Sequence, residues 1–336
     1  MVISCNDEPL GDPTHTVYID YPAAYIVNGG SNNLAVIRLS DLAFTEAIDL
    51  SEAPYPPHIY LSPDKNLLAV AITGTDLSGG HGGHGGGGGT GEGQRIQIIN
   101  PVSGDIHHEI PLMHLPHNAI FNPAGTELWV PQSDSAVGSV FIFYVNTWSL
   151  LDTIPVGRFP SEVTFSHDGS KVYVANTGDG TVSIIDPNTK NVTNTILTGE
   201  DPVGAWPASN GRMYVDNEGA RTITEIDVAT DSILSTINLG FVPGYAAYHS
   251  SLGELWISDA TNGRVAYFAL ENDVWTQQGN ITTGDDTHAI AFTPDGTKAF
   301  VTNQGANTVS IIDVTAHAVI KNIMIGDGPN GIAIRY

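Results

Sequence analysis

Residues Lys171–Asp186 read KVYVANTGDGTVSIID, and this stretch decides the fold. Val172 to Ala175 alternate as a strand does, and Asn176 to Gly180 are residue types that tolerate left-handed turns. Thr181 to Ile185 form a second β-branched run, so the stretch is a hairpin. A third run, Val192 to Leu197, follows a short polar link. A fourth, Ser161 to Phe165, precedes the hairpin and closes on the turn Ser166-His167-Asp168-Gly169. The unit is therefore four strands, lettered A to D in chain order.

The same unit recurs along the chain at roughly 40 to 45 residues, a period characteristic of propeller blades. A-strand entries fall at Pro57-His58, Pro116-His117, Pro160-Ser161, Pro202-Val203, Pro243-Gly244, Thr287-His288 and Pro329-Asn330. B strands begin at Ala24, Leu67, Glu127, Lys171, Arg212, Glu254 and Lys298. The last A strand, Pro329 to Tyr336, has no B, C and D after it, and the first B, C and D have no A before them. The expected fold is all-β: a seven-bladed β-propeller with four antiparallel strands per blade. Its ring is closed by the C-terminal strand joining the N-terminal blade, which removes free sheet edges.

The sequence resembles the YVTN-type seven-bladed β-propellers, through Tyr173-Val174-Ala175-Asn176, Phe300-Val301-Thr302-Asn303, the turn Thr293-Pro294-Asp295-Gly296 and the strand Val309 to Asp313. The resemblance covers residues 22 to 336 and implies the fold but no single activity. Propellers of this kind serve as lactonases, electron-transfer enzymes, cell-surface proteins and binding scaffolds. Residues 1–20 read as an N-terminal tether and 21–336 as the propeller, with Thr16 to Asp20 open to forming a short extra strand.

Among 336 residues, 12 Lys and Arg face 36 Asp and Glu, a formal net charge of −24. That field argues against nucleic acid or an anionic membrane as partner and favours cations. The single cysteine, Cys5, excludes an intrachain disulfide. Val2-Ile3-Ser4-Cys5 resembles the end of a bacterial lipoprotein signal, so the expectation is an exported protein, lipid-anchored at Cys5, in the periplasm or at the outer-membrane or cell surface, with another exported protein as a conceivable partner. No apolar run approaches the ~20 residues that span a bilayer.

The largest departure from the repeat is the B–C turn of blade 2, where eleven of the residues from Gly79 to Gly93 are glycine and two others are His81 and His84. Ordering such a segment costs much conformational entropy. In a four-stranded blade the B–C turn and the D-to-A connection lie on one face of the disc, and the A strand is innermost. Residues just after the A-strand proline therefore ring the channel mouth: His58, His117, Ser161-Glu162, Val203, Gly244-Tyr245, His288 and Asn330. Blades 7, 1, 2 and 3 contribute His288, Asn330, His58 and His117 in succession, so the three imidazoles share one arc, with His114 nearby. A Pro-His pair opening a strand is by itself an ordinary channel-mouth feature, and His81 and His84 alone fit a low-complexity insertion. Their coincidence on one face points to a metal site formed by His58, His117 and His288, with His81 and His84 on a lid.

Imidazole suits copper and zinc, of which copper is the first expectation and zinc the alternative. The arrangement is similar in principle to the nitrous oxide reductases, but the channel has too few histidines and the chain lacks their cupredoxin domain, so that reaction is not expected. A lactonase-like hydrolase would need carboxylate ligands, for which Glu162 alone is placed; a metal-free extracellular scaffold is the third reading. Asp64, Asp168 and Asp295 read as turn caps, as do Asp186, Asp227 and Asp313 at the ends of C strands. His107 and His108 read as surface residues, and His167, His249 and His317 as exposed turn residues.

Overall fold

The computed structural model describes residues 17–50, 53–75 and 93–336. Among the described residues the chain forms seven four-stranded antiparallel sheets. Blade 4 is the unit read above: Pro160–Phe165, Val172–Asn176, Thr181–Asp186 and Asn191–Leu197, paired in that order. Its inner three strands are mostly buried, and the outer strand is exposed along nearly its whole length. Blade 1 takes its inner strand, Pro329–Arg335, from the C-terminus and pairs it with Ala23–Asn28, as the repeat count requires. No helix in the described residues is long and apolar enough to cross a membrane.

The repeat is held by a clamp legible in the sequence motif. Asn176, at the end of its B strand, is fully buried. Its amide donates to Thr181 Oγ1 at 3.1 Å and Ser183 Oγ at 2.9 Å, closing the B–C hairpin. Asn217 and Asn303 do the same to Thr222 and Thr224, and to Thr308 and Ser310. Against each packs the glycine of the preceding D-to-A connection. A Cβ at Gly157 would lie 2.6 Å from Asn176 Cγ, and one at Gly199 would lie 2.7 Å from Asn217 Cγ. A larger residue there would push the clamp out of place, so the repeated glycine is a matter of space.

The aspartates read as caps do cap. Asp168 Oδ1 accepts from Ser166 Oγ at 2.6 Å and from the Ser170 amide at 3.0 Å, and these bonds hold its pKa down at about 2. Asp186, Asp227 and Asp313 accept from backbone amides two or three residues on.

Three expectations need correcting. His317 is half-buried rather than exposed, its ring stacked on Tyr267 at 4.2 Å between centroids and its Nε2 2.9 Å from Glu254 Oε2. Residues 17 to 20 form no strand; instead Ile19 is buried in the blade 1 core, and its amide donates to Val102 O at 2.8 Å. His249 is buried, not exposed: its ring meets Phe292 edge-on at 4.8 Å and its Nε2 lies 2.9 Å from Gly296 O. A turn histidine is sequestered here because the neighbouring blade supplies an aromatic wall. His107 and His108 are exposed on the outer strand of blade 2, as read.

Candidate metal centre

The inner strands do not all start alike, and the difference places the site. In blades 4, 6 and 7 the A–B ladder shifts register just after its first pair, between Pro160 and Val163, Pro243 and Ala246, and Thr287 and Ile290. Glu162, Tyr245 and His288 fall inside those bulges. A bulge breaks the alternation of side chains and re-aims the residue it contains. In blades 2 and 3 the inner strands shrink to Ile59–Leu61 and Ile120–Phe121, so His58 and His117 sit before the ladder begins rather than within it.

These segments bring three donors together. One ligand atom each from His58, His117 and Glu162 lies within 4.8 Å of the others, and all three residues are buried. Donors at about 2.0 to 2.1 Å from a tetrahedral ion stand roughly 3.3 Å apart. An ion held by all three would therefore require their side chains to draw closer than the 4.8 Å limit within which they lie. The His58 and His117 ring centroids are 4.7 Å apart, and His288 follows at 6.3 Å from His58. The structure thus joins two of the predicted imidazoles with a carboxylate and leaves His288 at the margin. His81 and His84 lie outside the described residues. The described strands before and after them in sequence, Leu68–Ile72 and Arg95–Ile99, pair as the B and C strands of blade 2, and the Gly74 amide donates to Pro54 O at 3.1 Å. His114 faces Asp134 at 3.7 Å.

Glu162 is held for this position from two sides. Its Oε1 accepts a short hydrogen bond from the Tyr60 hydroxyl, reaching over from blade 2, and one of 3.0 Å from Asn118 Nδ2 in blade 3. Asn118 is itself fixed to blade 4, donating to Val163 O at 2.9 Å and accepting from the Val163 amide at 3.1 Å. Glu162 Oε2 is buried and accepts no hydrogen bond among the described residues. A buried acceptor without a donor costs free energy, and a cation would recover it. Burial pushes the Glu162 carboxyl up to about 7 against the pull of Tyr60 and Asn118. Burial, and then the charge of Glu162, pushes the Tyr60 hydroxyl well above its ordinary range.

A second buried acid belongs to the same channel and was passed over in the sequence. Asp216 stands in blade 5 where blade 4 has Ala175, in YVDN against YVAN. Its Oδ1 accepts from Trp206 Nε1 at 2.7 Å and from the Gly204 amide at 3.0 Å, and burial first, then Glu218, raises its pKa. The indole of Trp206 lies against the Tyr245 ring, tilted by 33° with 3.7 Å between centroids. The signal was a carboxylate inside an otherwise apolar B-strand run.

A raised pKa carries a stability consequence. The folded ion-free protein keeps the Glu162 proton to about pH 7, whereas the unfolded chain releases it near 4.5. The fold therefore binds more protons between those values, and stability falls as pH rises through that window, by on the order of 3 kcal/mol. Glu162→Gln, isosteric and uncharged, should remove that loss. Urea unfolding in chelator at pH 5 and pH 8 measures it: the wild type should lose more stability than the variant, and equal losses would show that the Glu162 charge is not the cause.

Comparison with known proteins agrees with this architecture. The structure matches the periplasmic gluconolactonase of Pseudomonas aeruginosa with a TM-score of 0.73 at 16% identity, over 94% of this chain and 99% of that one. It matches a functionally unknown protein of Desulfotomaculum acetoxidans at 0.75 and 11%, over 94% and 99%. It matches hydrazine synthase of Kuenenia stuttgartiensis at 0.67 and 17%, over 84% and 90%. Such identities show a shared fold alone. A 50-residue stretch is 46% identical to a PE-PGRS family protein of Mycobacterium tuberculosis, and spans 11% of that protein's length. The model of the choice-of-anchor I domain matches residues 126–326, from the second strand of blade 3 to the end of blade 7. With more than half of its length matched, the chain belongs to the choice-of-anchor I domain family.

Proposed function

We propose that this propeller is an exported protein that binds one transition-metal ion at its channel mouth through His58, His117 and Glu162. The observation that carries the reading is the mutual approach of these three buried donors, together with a Glu162 oxygen, Oε2, that is buried and has no hydrogen-bond partner among the described residues. Two imidazoles and a carboxylate suit Zn(II) or Cu(II), and the oxygen donor weighs against Cu(I). Preorganised bulges and the Tyr60 and Asn118 contacts lower the ordering cost of binding. A family named for a choice of anchors agrees with export and with attachment at Cys5, which lies outside the described residues. The asparagine clamps at Asn176 and Asn303 agree with the YVTN-type repeat.

The test is calorimetry of ion-free, tag-free protein with Zn(II) and Cu(II), backed by elemental analysis. One ion per chain should bind. Affinity should fall at least tenfold from pH 7.5 to 5.5, because imidazole must be neutral and the carboxyl ionised to ligate. No binding of either ion would leave the metal-free scaffold as the reading.

One observation favours a hydrolytic use of the same site. Three protein donors leave a position for water, the pattern of catalytic zinc. With the fold shared by a gluconolactonase, cleavage of a lactone ester is the reaction to assay. Zinc-loaded protein that leaves gluconolactone hydrolysis at the uncatalysed rate would exclude that use and leave the binding reading intact.

A further inference from the structure

Asn330 lies on the strand that closes the ring, in the register position that His288 holds in blade 7 and that precedes the ladder as His58 in blade 2. It too falls in a bulge: Asn28 pairs with Pro329 and Ile26 with Ile332, so Asn330 and Gly331 oppose the single residue Val27. The order around the channel is His288, Asn330, His58, and the two imidazoles flanking Asn330 stand only 6.3 Å apart. The Asn330 Oδ1 atom is buried and accepts no hydrogen bond among the described residues. An amide oxygen is an acceptable donor to a divalent ion already held by nitrogen and carboxylate.

Gly331 also touches the backbone of a candidate ligand. The Gly331 amide donates to Pro57 O at 3.0 Å, and a Cβ at Gly331 would lie 2.9 Å from His58 Cα. Nearby, the Gly29 amide donates to Gly328 O at 2.9 Å and the Gly30 amide to Asp327 O at 3.0 Å. The closing strand and the segment bearing His58 are thus in backbone contact, while the strand joins residues more than three hundred positions earlier in the chain. Terminal strands are where local opening is cheapest.

We propose that Asn330 supplies a further donor to the ion through its side-chain oxygen, so that ion binding and docking of the closing strand form one coupled equilibrium. This rests on the metal reading of the same site. Linkage makes the coupling reciprocal: the factor by which the ion favours the docked strand is the factor by which the docked strand favours the ion. The channel mouth then reports ring closure, because the complete donor set exists only in the closed ring.

Hydrogen exchange followed by mass spectrometry, with and without Zn(II), tests it in the wild type, Asn330→Ala and Asn330→Asp. In the wild type, zinc should slow exchange of residues 329 to 335 at least tenfold more than that of the blade 6 inner strand, Pro243–His249, which carries none of the proposed donors. Asn330→Ala should lose about tenfold in zinc affinity and also that selective slowing, whereas Asn330→Asp, which keeps an oxygen donor, should retain both. Wild-type affinity in Asn330→Ala, or equal slowing of both strands in the wild type, overturns the coupling while the metal site stands. A wild type that binds no zinc overturns the site and the coupling together. If Asn330→Ala fails to fold, the wild-type comparison of the two strands decides alone.

Discussion

Deleting Pro329–Tyr336 is expected to abolish the cooperative melt of the whole ring. The strand contributes Ala333 to the blade 1 core, and Ile332 and Ile334 pack on the core between blades 7 and 1. Arg335 Nη1 donates to Ile19 O at 3.0 Å, tying down the N-terminal segment as well. Its ladder partner, Ala23–Asn28, is buried at every residue and would become an open edge. Full burial of an isoleucine contributes about 1.5–3 kcal/mol, of which the half-buried Ile332 and Ile334 each contribute part, and ladder hydrogen bonds contribute about 1 kcal/mol each. Their sum is comparable with the about 5–15 kcal/mol that stabilises an ordinary domain. The gap would also separate blade 7 from blade 2, so opening does not stay local, and the exposed edge invites self-association. Circular dichroism melts of the intact and truncated chains settle it. A truncated protein melting within a few degrees of the intact one would show that the ring tolerates an open blade.

The fold was legible because a propeller writes itself seven times. Each blade repeats a strand hairpin, and four of the seven B strands end in asparagine: Asn28, Asn176, Asn217 and Asn303. Against each of these packs a glycine of the connection before the A strand, Gly326, Gly157, Gly199 and Gly284. The structure gives every one of those a physical duty, as Asn176 and Gly157 illustrate. Closure was legible as arithmetic, since one A strand was missing at the start and one was left over at the end. The arc of His58, His117 and His288 followed from topology alone, because innermost strands entered at equivalent positions must face one channel.

What sequence could not give is which neighbours at the mouth meet. Alternation along a strand assigns faces, but a bulge inside the ladder resets the alternation. Glu162 could be placed on the ring, yet not aimed at His58 and His117. The Tyr60 bond to Glu162 joins blade 2 to blade 4 and skips a blade, and no local pattern encodes such a contact. Asp216 was hidden for a different reason: a single carboxylate in a B strand looks like a tolerated substitution until its burial is known. His249 shows the converse, where turn chemistry indicated solvent and a phenylalanine of the next blade excluded it.

Replacing either His58 or His117 by alanine should lower Zn(II) affinity at least a hundredfold, while the melting temperature in chelator stays close to that of the wild type. Each is one of three donors already within 4.8 Å of one another, so its loss leaves one imidazole and one carboxylate of that triad, helped only by a neutral amide oxygen at Asn330. A site that has lost one of its two imidazoles competes poorly with hydration of a Zn(II) ion. The rim position of both side chains, ahead of the short inner strands rather than within a packed ladder, limits the structural cost of truncating them. His288→Ala should cost about tenfold or less, since its ring stands 6.3 Å from His58 and it is not one of the close triad. The double variant His81→Ala, His84→Ala serves as the contrast, because those residues were expected from the sequence to act as a lid and not as the fixed donors. Calorimetric titrations of the wild type and these four variants at pH 7.5 rank the contributions directly. Unchanged affinity in both His58→Ala and His117→Ala would remove the site from the channel mouth, and loss confined to the double variant would transfer metal binding to the glycine-rich segment.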